Sequence, residues 1–339
     1  MKKRVFQNIL IFGHSNIGDV CYDLVVAEPL RRAFPKARIS FVTSAKARQL
    51  AEIVPGINEV IVFDKHGRDK GMFGYLLFIK RLREKKIDLA VILRDIQMHY
   101  FLGVNEVLKI KKEVIRSHDR HVAEKYLILL EHLGIERQMP QFDFRFYHQD
   151  EQFARELYVR HHISAAQMKV GIMPFAGWLL KCWSAEKWNV LIHWLTDELK
   201  AAVFVFGKTG ENNWEKEFLR KLSPHAISLV NESTITQTMT VISRLDVFIG
   251  LDTSFLHLSS CMGIPTVGIY GATNQDFIYP LFHKQNVVIS GADLQCMPCY
   301  PGQHGGSCGV KDNPGPCMEA ITPEEVIAKV RQVITDKNM

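Results

Sequence analysis

The chain is expected to be an α/β protein with two doubly wound parallel sheets, and three observations lead there. Apolar runs of strand length alternate with helical segments through most of the 339 residues, the pattern of parallel strands covered by helices on both faces. That alternation lapses over residues 140–167 and then restarts, and a chain this long exceeds one ordinary core, so a domain boundary belongs there. Residues 245–270 contain a complete strand, polar turn, helix and second strand, which is one βαβ unit.

The elements follow in order. Residues 8–12, Asn-Ile-Leu-Ile-Phe, form a buried strand, and Gly13-His14-Ser15-Asn16-Ile17-Gly18-Asp19 a glycine-bounded turn. Residues 20–34 run as a helix that stops before Pro35. Strands at 38–43, 59–63 and 88–93 alternate with helices at 45–53 and 72–84, the latter with a basic flank. A short strand near 113–115 precedes a helix over 121–133. After the boundary come a strand at 169–173, a loop to Trp183, a helix at 185–200, a strand at 202–206 and a helix at 214–222. A strand at 227–230 and a helix at 235–244 lead into the βαβ unit. Thr322-Pro323-Glu324-Glu325 is a helix start signal for a last helix from 323. The resulting division is residues 1–165, residues 166–322 and a C-terminal helix over 323–339, the two sheet domains facing each other across a cleft.

Composition narrows the function. Hydrophobic content of 47% with 23% charged residues is an ordinary soluble mix. No apolar run is long enough to span a bilayer. The basic start Met1-Lys2-Lys3-Arg4 precedes an apolar run too short for a signal peptide and interrupted by Gln7 and Asn8, so no export is expected and the chain is placed in the cytoplasm. A net charge of +6 mildly favours anionic partners, phosphates or an acidic membrane surface. Basic blocks with interleaved aromatics are missing, so nucleic acid is not expected as a partner.

The chemistry-bearing residues lie in turns after strands. Asp252, Thr253 and Ser254 fall where the strand of the βαβ unit gives way to its helix, with His257 one turn on. Unpaired N–H groups and the helix dipole make such a place an anion site; a well-capped helix is the plainer alternative. A second polar turn, Gly271-Ala272-Thr273-Asn274, follows the next strand at the same end. Lys181, in the loop before the 185–200 helix, can neutralise a phosphate or simply be solvated. Trp183 and Trp188 are core residues or stack on a base. The first turn is neither a dinucleotide fingerprint nor a P-loop, because only Gly13 and Gly18 flank it and Asp19 follows Gly18. Asp19 at the end of the first strand can take a proton from a substrate hydroxyl, or cap the helix.

The seven cysteines argue against a disulfide framework in a chain expected to carry no leader. Cys296-Met297-Pro298-Cys299, Cys308 and Cys317 lie in a Gly- and Pro-rich loop and match a structural four-thiolate site for Zn²⁺ or iron, with His304 able to replace one thiolate. Free thiols, or disulfides formed on handling, are the alternative. Cys21, Cys182 and Cys261 lie apart and read as ordinary buried cysteines.

Together these stretches resemble the heptosyltransferase family of glycosyltransferases (glycosyltransferase family 9), along nearly the whole chain. Ile17-Gly18-Asp19-Val20 with Pro29-Leu30-Arg31-Arg32-Ala33-Phe34-Pro35 is similar to the family's first motif and helix, and Pro55-Gly56-Ile57-Asn58-Glu59-Val60-Ile61 to its third-strand lead-in. Lys181-Cys182-Trp183 resembles its phosphate-contacting Lys with a Trp, especially in the branch that adds the third core heptose. The most diagnostic match is Asp246-Val247-Phe248-Ile249-Gly250-Leu251-Asp252-Thr253 with His257, then Gly263-Ile264-Pro265-Thr266 and Gly271-Ala272-Thr273. The Cys-rich tail ending Cys317-Met318 also has counterparts, and in the heptosyltransferases of autotransporters a similar cluster holds iron. The departures are Gly13-His14, where a basic residue often stands, and Ser254, where a glycine often follows the Asp-Thr pair.

The resemblance implies a GT-B fold, with residues 1–165 binding acceptor and 166–322 binding nucleotide sugar. It implies inverting transfer of heptose from ADP-heptose to a lipopolysaccharide-core or related anionic glycolipid hydroxyl, at or near the cytoplasmic face of the inner membrane. Asp19 would be the base. Lys181 and the amides around Thr253 to His257 would hold the pyrophosphate, Asp252 the donor sugar, and Ser254 and Thr273 would line the donor site, with no catalytic metal required. A sugar-nucleotide epimerase or hydrolase of the same fold, or a non-catalytic nucleotide-binding scaffold, are the alternatives.

Overall fold

The computed structural model describes residues 5–337 except 118, 141, 211–212, 291–293, 295 and 300–314. The basic start, His304 and Cys308 therefore lie outside the described residues. The chain divides into two compact units, Met1–Arg145 and Phe146–Met339.

Among its described residues the first unit has five strands: β1 (Asn8–Phe12), β2 (Arg38–Thr43), β3 (Glu59–Val62), β4 (Leu89–Ile92) and β5 (Glu106–Lys109). All pair in parallel, in the order β3-β2-β1-β4-β5. The strands read as continuous apolar runs because both faces are covered. Leu10 and Phe12 point to a layer with Val42, Ala90 and Ile92 under Phe78, Ile79 and Leu82, while Ile9 and Ile11 are equally buried on the other side. The order reverses between β1 and β4, so their C-terminal ends diverge into a crevice, the place where open sheets bind ligands.

Two expectations need correction here. The segment read as a strand near 113–115 belongs to the helix Lys112–Arg116, and the fifth strand is Glu106–Lys109, with Leu89 opposite Glu106. Glu-Val-Leu-Lys is a half-polar edge strand with little apolar signal. The continuous helix read over 20–34 is instead Ile17–Asp23, a 3-10 turn at Leu24–Val26 and a second helix, Ala27–Ala33. Pro29 has no N–H to donate back across that junction, and it is tolerated because it falls in the first turn of the new helix.

Among its described residues the second unit has six parallel strands: β6 (Lys169–Met173), β7 (Ala202–Val205), β8 (Ile227–Ser228), β9 (Val247–Leu251), β10 (Thr266–Tyr270) and β11 (Val287–Ile289). Their order is β11-β10-β9-β6-β7-β8, which reverses between β6 and β9. Alternate residues feed two cores. Val247, Ile249 and Leu251 face Trp188, Leu191 and the last helix, while Phe248 faces Phe204, Phe206 and Leu256. The stretch read as irregular, 140–167, contains the helix His148–Arg160, whose Ala154 and Leu157 join the second of these cores. The last helix, Pro323–Lys337, buries Val326, Val330 and Val333.

Candidate active site

At the reversal point of the first sheet, the Gly13–Asp19 turn is held by both of its neighbours. Thr43, at the end of β2, donates its hydroxyl to the His14 carbonyl at 2.7 Å, and Ser44 donates to the Ser15 carbonyl at 2.5 Å. Arg94, just past β4, donates to the Ser15 hydroxyl at 3.1 Å. A Cβ on Gly13 would stand 2.6 Å from the Phe41 ring and 2.7 Å from the Asp23 carboxylate. Only glycine lets that carboxylate reach the strand end.

Asp19 lies in the first turn of Ile17–Asp23 and is exposed. It does not cap that helix. The N-cap is Asn16, without a side-chain cap bond, and the Asn16 amide donates to Asp19 Oδ2 at 3.2 Å. Beneath it sits a pair that motif reading passes over. Asp23 is 0% exposed, accepts the His14 backbone N–H at 2.6 Å and holds His14 Nδ1 at 2.9 Å. Burial works against charge on His14, but the Asp23 carboxylate outweighs it and the imidazole is held above its ordinary value. Burial pushes Asp23 up in turn, partly offset by His14. The Tyr126 ring lies 6.5 Å from His14, and its phenol is pushed well up by burial and by the Asp23 and Asp19 charges. The four-residue spacing of Asp19 and Asp23, which puts both on one helix face, is the signal that singles out Asp23, though not its pairing with His14.

At the reversal point of the second sheet, Asp252 follows β9 and gathers three side chains. Lys181 Nζ donates to Oδ2 at 2.5 Å, Thr273 Oγ1 donates to the same oxygen at 2.7 Å, and His257 Nε2 lies 2.9 Å from Oδ1. Lys181 comes from the loop after β6, Thr273 from the turn after β10 and His257 from one turn into the Ser254–Cys261 helix. Burial alone would raise Asp252, but the His257 hydrogen bond and the Lys181 ammonium hold it well below the usual carboxylate range. The buried Tyr270 phenol behind it is pushed well up, by burial and by that charge.

The Ser254–Cys261 helix is not capped by a side chain. Its N-cap, Thr253, makes no cap bond, and Thr253 Oγ1 is buried with no hydrogen-bond partner among the described residues. Ser254 is half-buried at the first helical position. The capped-helix alternative therefore fails. The turn keeps the positive end of a helix dipole open, next to an ammonium. Trp183 and Trp188 belong to the core. They are 1% and 0% exposed, pack edge to face at 5.4 Å, and the Trp183 indole donates to the Ile321 carbonyl at 3.0 Å. Burial pushes the Cys182 thiol up to about 11, which makes it unreactive.

Of the four clustered cysteines, Cys299 and Cys317 are buried and Cys296 is half-buried. Cys299 donates its N–H to the Ala272 carbonyl at 2.9 Å and its thiol to the Cys296 carbonyl at 2.9 Å. The Cys317 sulfur lies 2.8 Å from where a Cβ on Gly271 would stand. Cys299 and Cys317 thus converge on the Gly271-Ala272 turn. Among the described residues, no group of three His, Cys, Asp or Glu side chains is arranged to hold a metal ion.

The sequence profile of glycosyltransferase family 9 (heptosyltransferase) matches residues 102–304, more than half of the chain. Lipopolysaccharide heptosyltransferase 2 of Escherichia coli (strain K12) is 24% identical over 311 residues, covering 83% of this chain and 88% of its own length. Among solved structures, a family 9 glycosyltransferase from Veillonella parvula superposes with a TM-score of 0.84 at 20% identity, covering 97% of this chain and 98% of that one. The E. coli ADP-heptose lipopolysaccharide heptosyltransferase II gives 0.73 at 20% identity, covering 98% and 100%. At such identities the structural likeness carries the fold, two Rossmann-like units of the GT-B type, and the profile carries the family. The site built around Asp252 falls largely inside the matched residues, and the chain belongs to glycosyltransferase family 9, the heptosyltransferases.

Proposed function

We propose that the chain is an inverting glycosyltransferase that moves a heptose from ADP-heptose to a hydroxyl of a lipopolysaccharide-core or related anionic glycolipid. The observation that carries this reading is the uncapped helix start at Thr253 beside Lys181 and Asp252, inside a segment matched to the family. Relatives whose names specify lipopolysaccharide and ADP-heptose support the substrate class. The second unit binds the donor and the first binds the acceptor. The donor diphosphate lies on the N–H groups that follow Thr253, with Ser254 beside it. Lys181 turns from Asp252 to share its charge with the phosphates. Asp252, kept ionised by His257 and Thr273, faces the sugar.

The acceptor oxygen attacks the anomeric carbon while the bond to ADP breaks on the opposite face. Asp19 takes the acceptor proton, and the charge gathering on ADP is met by Lys181 and the helix dipole, so the reaction needs no catalytic metal. The enzyme works at the cytoplasmic face of the inner membrane. Among the described residues, no helix is long and apolar enough to cross it. Incubation with ADP-heptose and purified core glycolipid, read by mass, is expected to show acceptor gain of one heptose with release of ADP. Turnover of the donor without acceptor gain would favour the epimerase or hydrolase alternative.

Cys296, Cys299, Cys308 and Cys317 are proposed as thiolate ligands of a structural Zn²⁺ or iron. The approach of Cys299 and Cys317 to one turn supports this. Bound metal would supply local folding energy and no chemistry. Elemental analysis of protein purified without chelator is expected to give about one metal per chain. Cys299→Ser should lower metal content and thermal stability together. Metal-free protein of unchanged stability would remove the site.

A further inference from the structure

The helix Gly71–Arg83 packs Phe78, Ile79 and Leu82 against the first sheet and turns an apolar face outward. Met72 is 76% exposed, Phe73 75%, Leu76 53% and Leu77 45%. Residues 72, 73, 76 and 77 stand on one side over two successive turns. Along the same side, the exposed Lys80 and Arg83 follow one and two turns later. The outer face is thus apolar at its N-terminal half and cationic at its C-terminal half. Between residues 64 and 86 there are eight Lys and Arg against three Asp and Glu. One of those acids, Asp69, is buried and ion-paired with Arg81.

This face is displayed rigidly. Asp69 also accepts the Asp64 N–H at 2.8 Å, tying the incoming loop to the helix. A Cβ on Gly74 would stand 2.6 Å from the Asp69 backbone, so only glycine lets loop and helix pack this closely. Soluble proteins rarely leave such a contiguous apolar patch bare. The short turn Met98–Phe101 adds Tyr100 and Phe101, 73% and 58% exposed, while its Met98 lies in the same core layer as Phe78. The start of the helix Gly71–Arg83, with Met72 and Phe73, and the turn Met98–Phe101 follow the C-terminal ends of parallel strands, β3 and β4, and so lie toward the sheet edge that carries the Asp19 turn.

We propose that this face docks on an anionic lipid bilayer. Met72, Phe73, Leu76 and Leu77 would enter the headgroup–acyl boundary while Lys70, Lys80 and Arg83 meet anionic headgroups. The cationic flank selects this occupant over a second copy of the chain, whose matching patch would bring like charges together. The proposal rests on the glycolipid-acceptor reading, since such an acceptor resides in a membrane, and it places membrane contact at the edge where Asp19 stands.

The test is sedimentation with vesicles of phosphatidylcholine containing phosphatidylglycerol, without nucleotide or acceptor. The protein is expected to sediment with these vesicles more than with phosphatidylcholine alone. Met72→Ser with Phe73→Ser should weaken binding about tenfold or more, with melting temperature and solution mass unchanged. Lys80→Glu with Arg83→Glu, which leaves the apolar residues in place, should weaken binding to the anionic vesicles only. Equal sedimentation of the native protein and both variants would overturn the proposal, as would a native dimer that Met72→Ser with Phe73→Ser makes monomeric. Vesicle binding without transfer activity would keep this proposal and sink the transferase reading, and transfer without vesicle binding would do the reverse.

Discussion

Asp19 and Asp252 occupy corresponding places, each just past a strand at the reversal point of its own sheet, yet their surroundings are opposite. Asp19 is exposed and takes one long hydrogen bond from the Asn16 amide. Asp252 is enclosed by Lys181, His257 and Thr273. A carboxylate open to solvent beside a strand end can exchange a proton with a substrate hydroxyl. A carboxylate clamped by an ammonium, an imidazole and a hydroxyl cannot change charge cheaply. In the proposed reading it is a fixed negative charge that holds Lys181 and faces the donor sugar. The same motif of strand, turn and acid thus stands open to solvent in one unit and enclosed in the other, as the proposed roles of Asp19 in taking a proton and of Asp252 in holding charge require.

Breaking the reactive side should give the largest effect. Asp19→Ala is expected to reduce turnover by about two to four orders of magnitude, measured as kcat with saturating donor and acceptor, while the melting temperature stays close to native. Near-normal turnover would remove Asp19 from the mechanism.

Breaking the scaffold side should appear in stability. Asp252→Ala leaves the Lys181 ammonium without its counter-charge and removes the hydrogen bond to the buried His257, at a cost of roughly 3–5 kcal/mol, visible by denaturant titration. The sign with pH follows from the depressed Asp252 value. Its contribution is complete above the unfolded carboxylate value of about 3.9 and is lost as pH falls below that toward the folded value. Denaturant midpoints that fall in parallel with acid for native protein and Asp252→Ala would contradict this.

A smaller effect sharpens the first unit. His14 is raised in the folded state, so its contribution is complete below about pH 6.5 and declines as pH rises through the folded value. With 25% of its side chain exposed, solvent screening limits the size of that contribution. His14→Gln should flatten the decline in melting temperature between about pH 6 and pH 9. An identical slope in native and variant protein would assign the pH dependence elsewhere.

Much of the architecture was legible because buried parallel strands advertise themselves. Val247–Leu251 is apolar throughout, Asn8–Phe12 and Thr266–Tyr270 are so after their first residue, and polar turns mark their C-terminal ends. The edge strands Glu106–Lys109 and Val287–Ile289 were not legible, being short and partly exposed. The helix His148–Arg160 escaped because few of its residues are apolar. At the site, residue types and turns could be picked out, but their union could not. Lys181 and Asp252 are 71 residues apart and meet only because β6 and β9 are neighbours. The sequence also suggests caps at Thr253 and Asp19, and three-dimensional packing withholds both. The His14–Asp23 pair depends on how closely Gly13 lets a helix side chain approach a strand end.

The proposed division of labour between the two carboxylates is tested most directly by calorimetry of ADP and adenosine with native protein, Asp19→Ala and Lys181→Ala. ADP is expected to bind native protein and Asp19→Ala alike, and far more tightly than adenosine. Lys181→Ala should lose about tenfold or more of the ADP affinity and little of the adenosine affinity. Equal binding of ADP and adenosine to the native protein would contradict a diphosphate site at Thr253, and loss of ADP binding in Asp19→Ala would contradict the separation of donor binding from proton transfer.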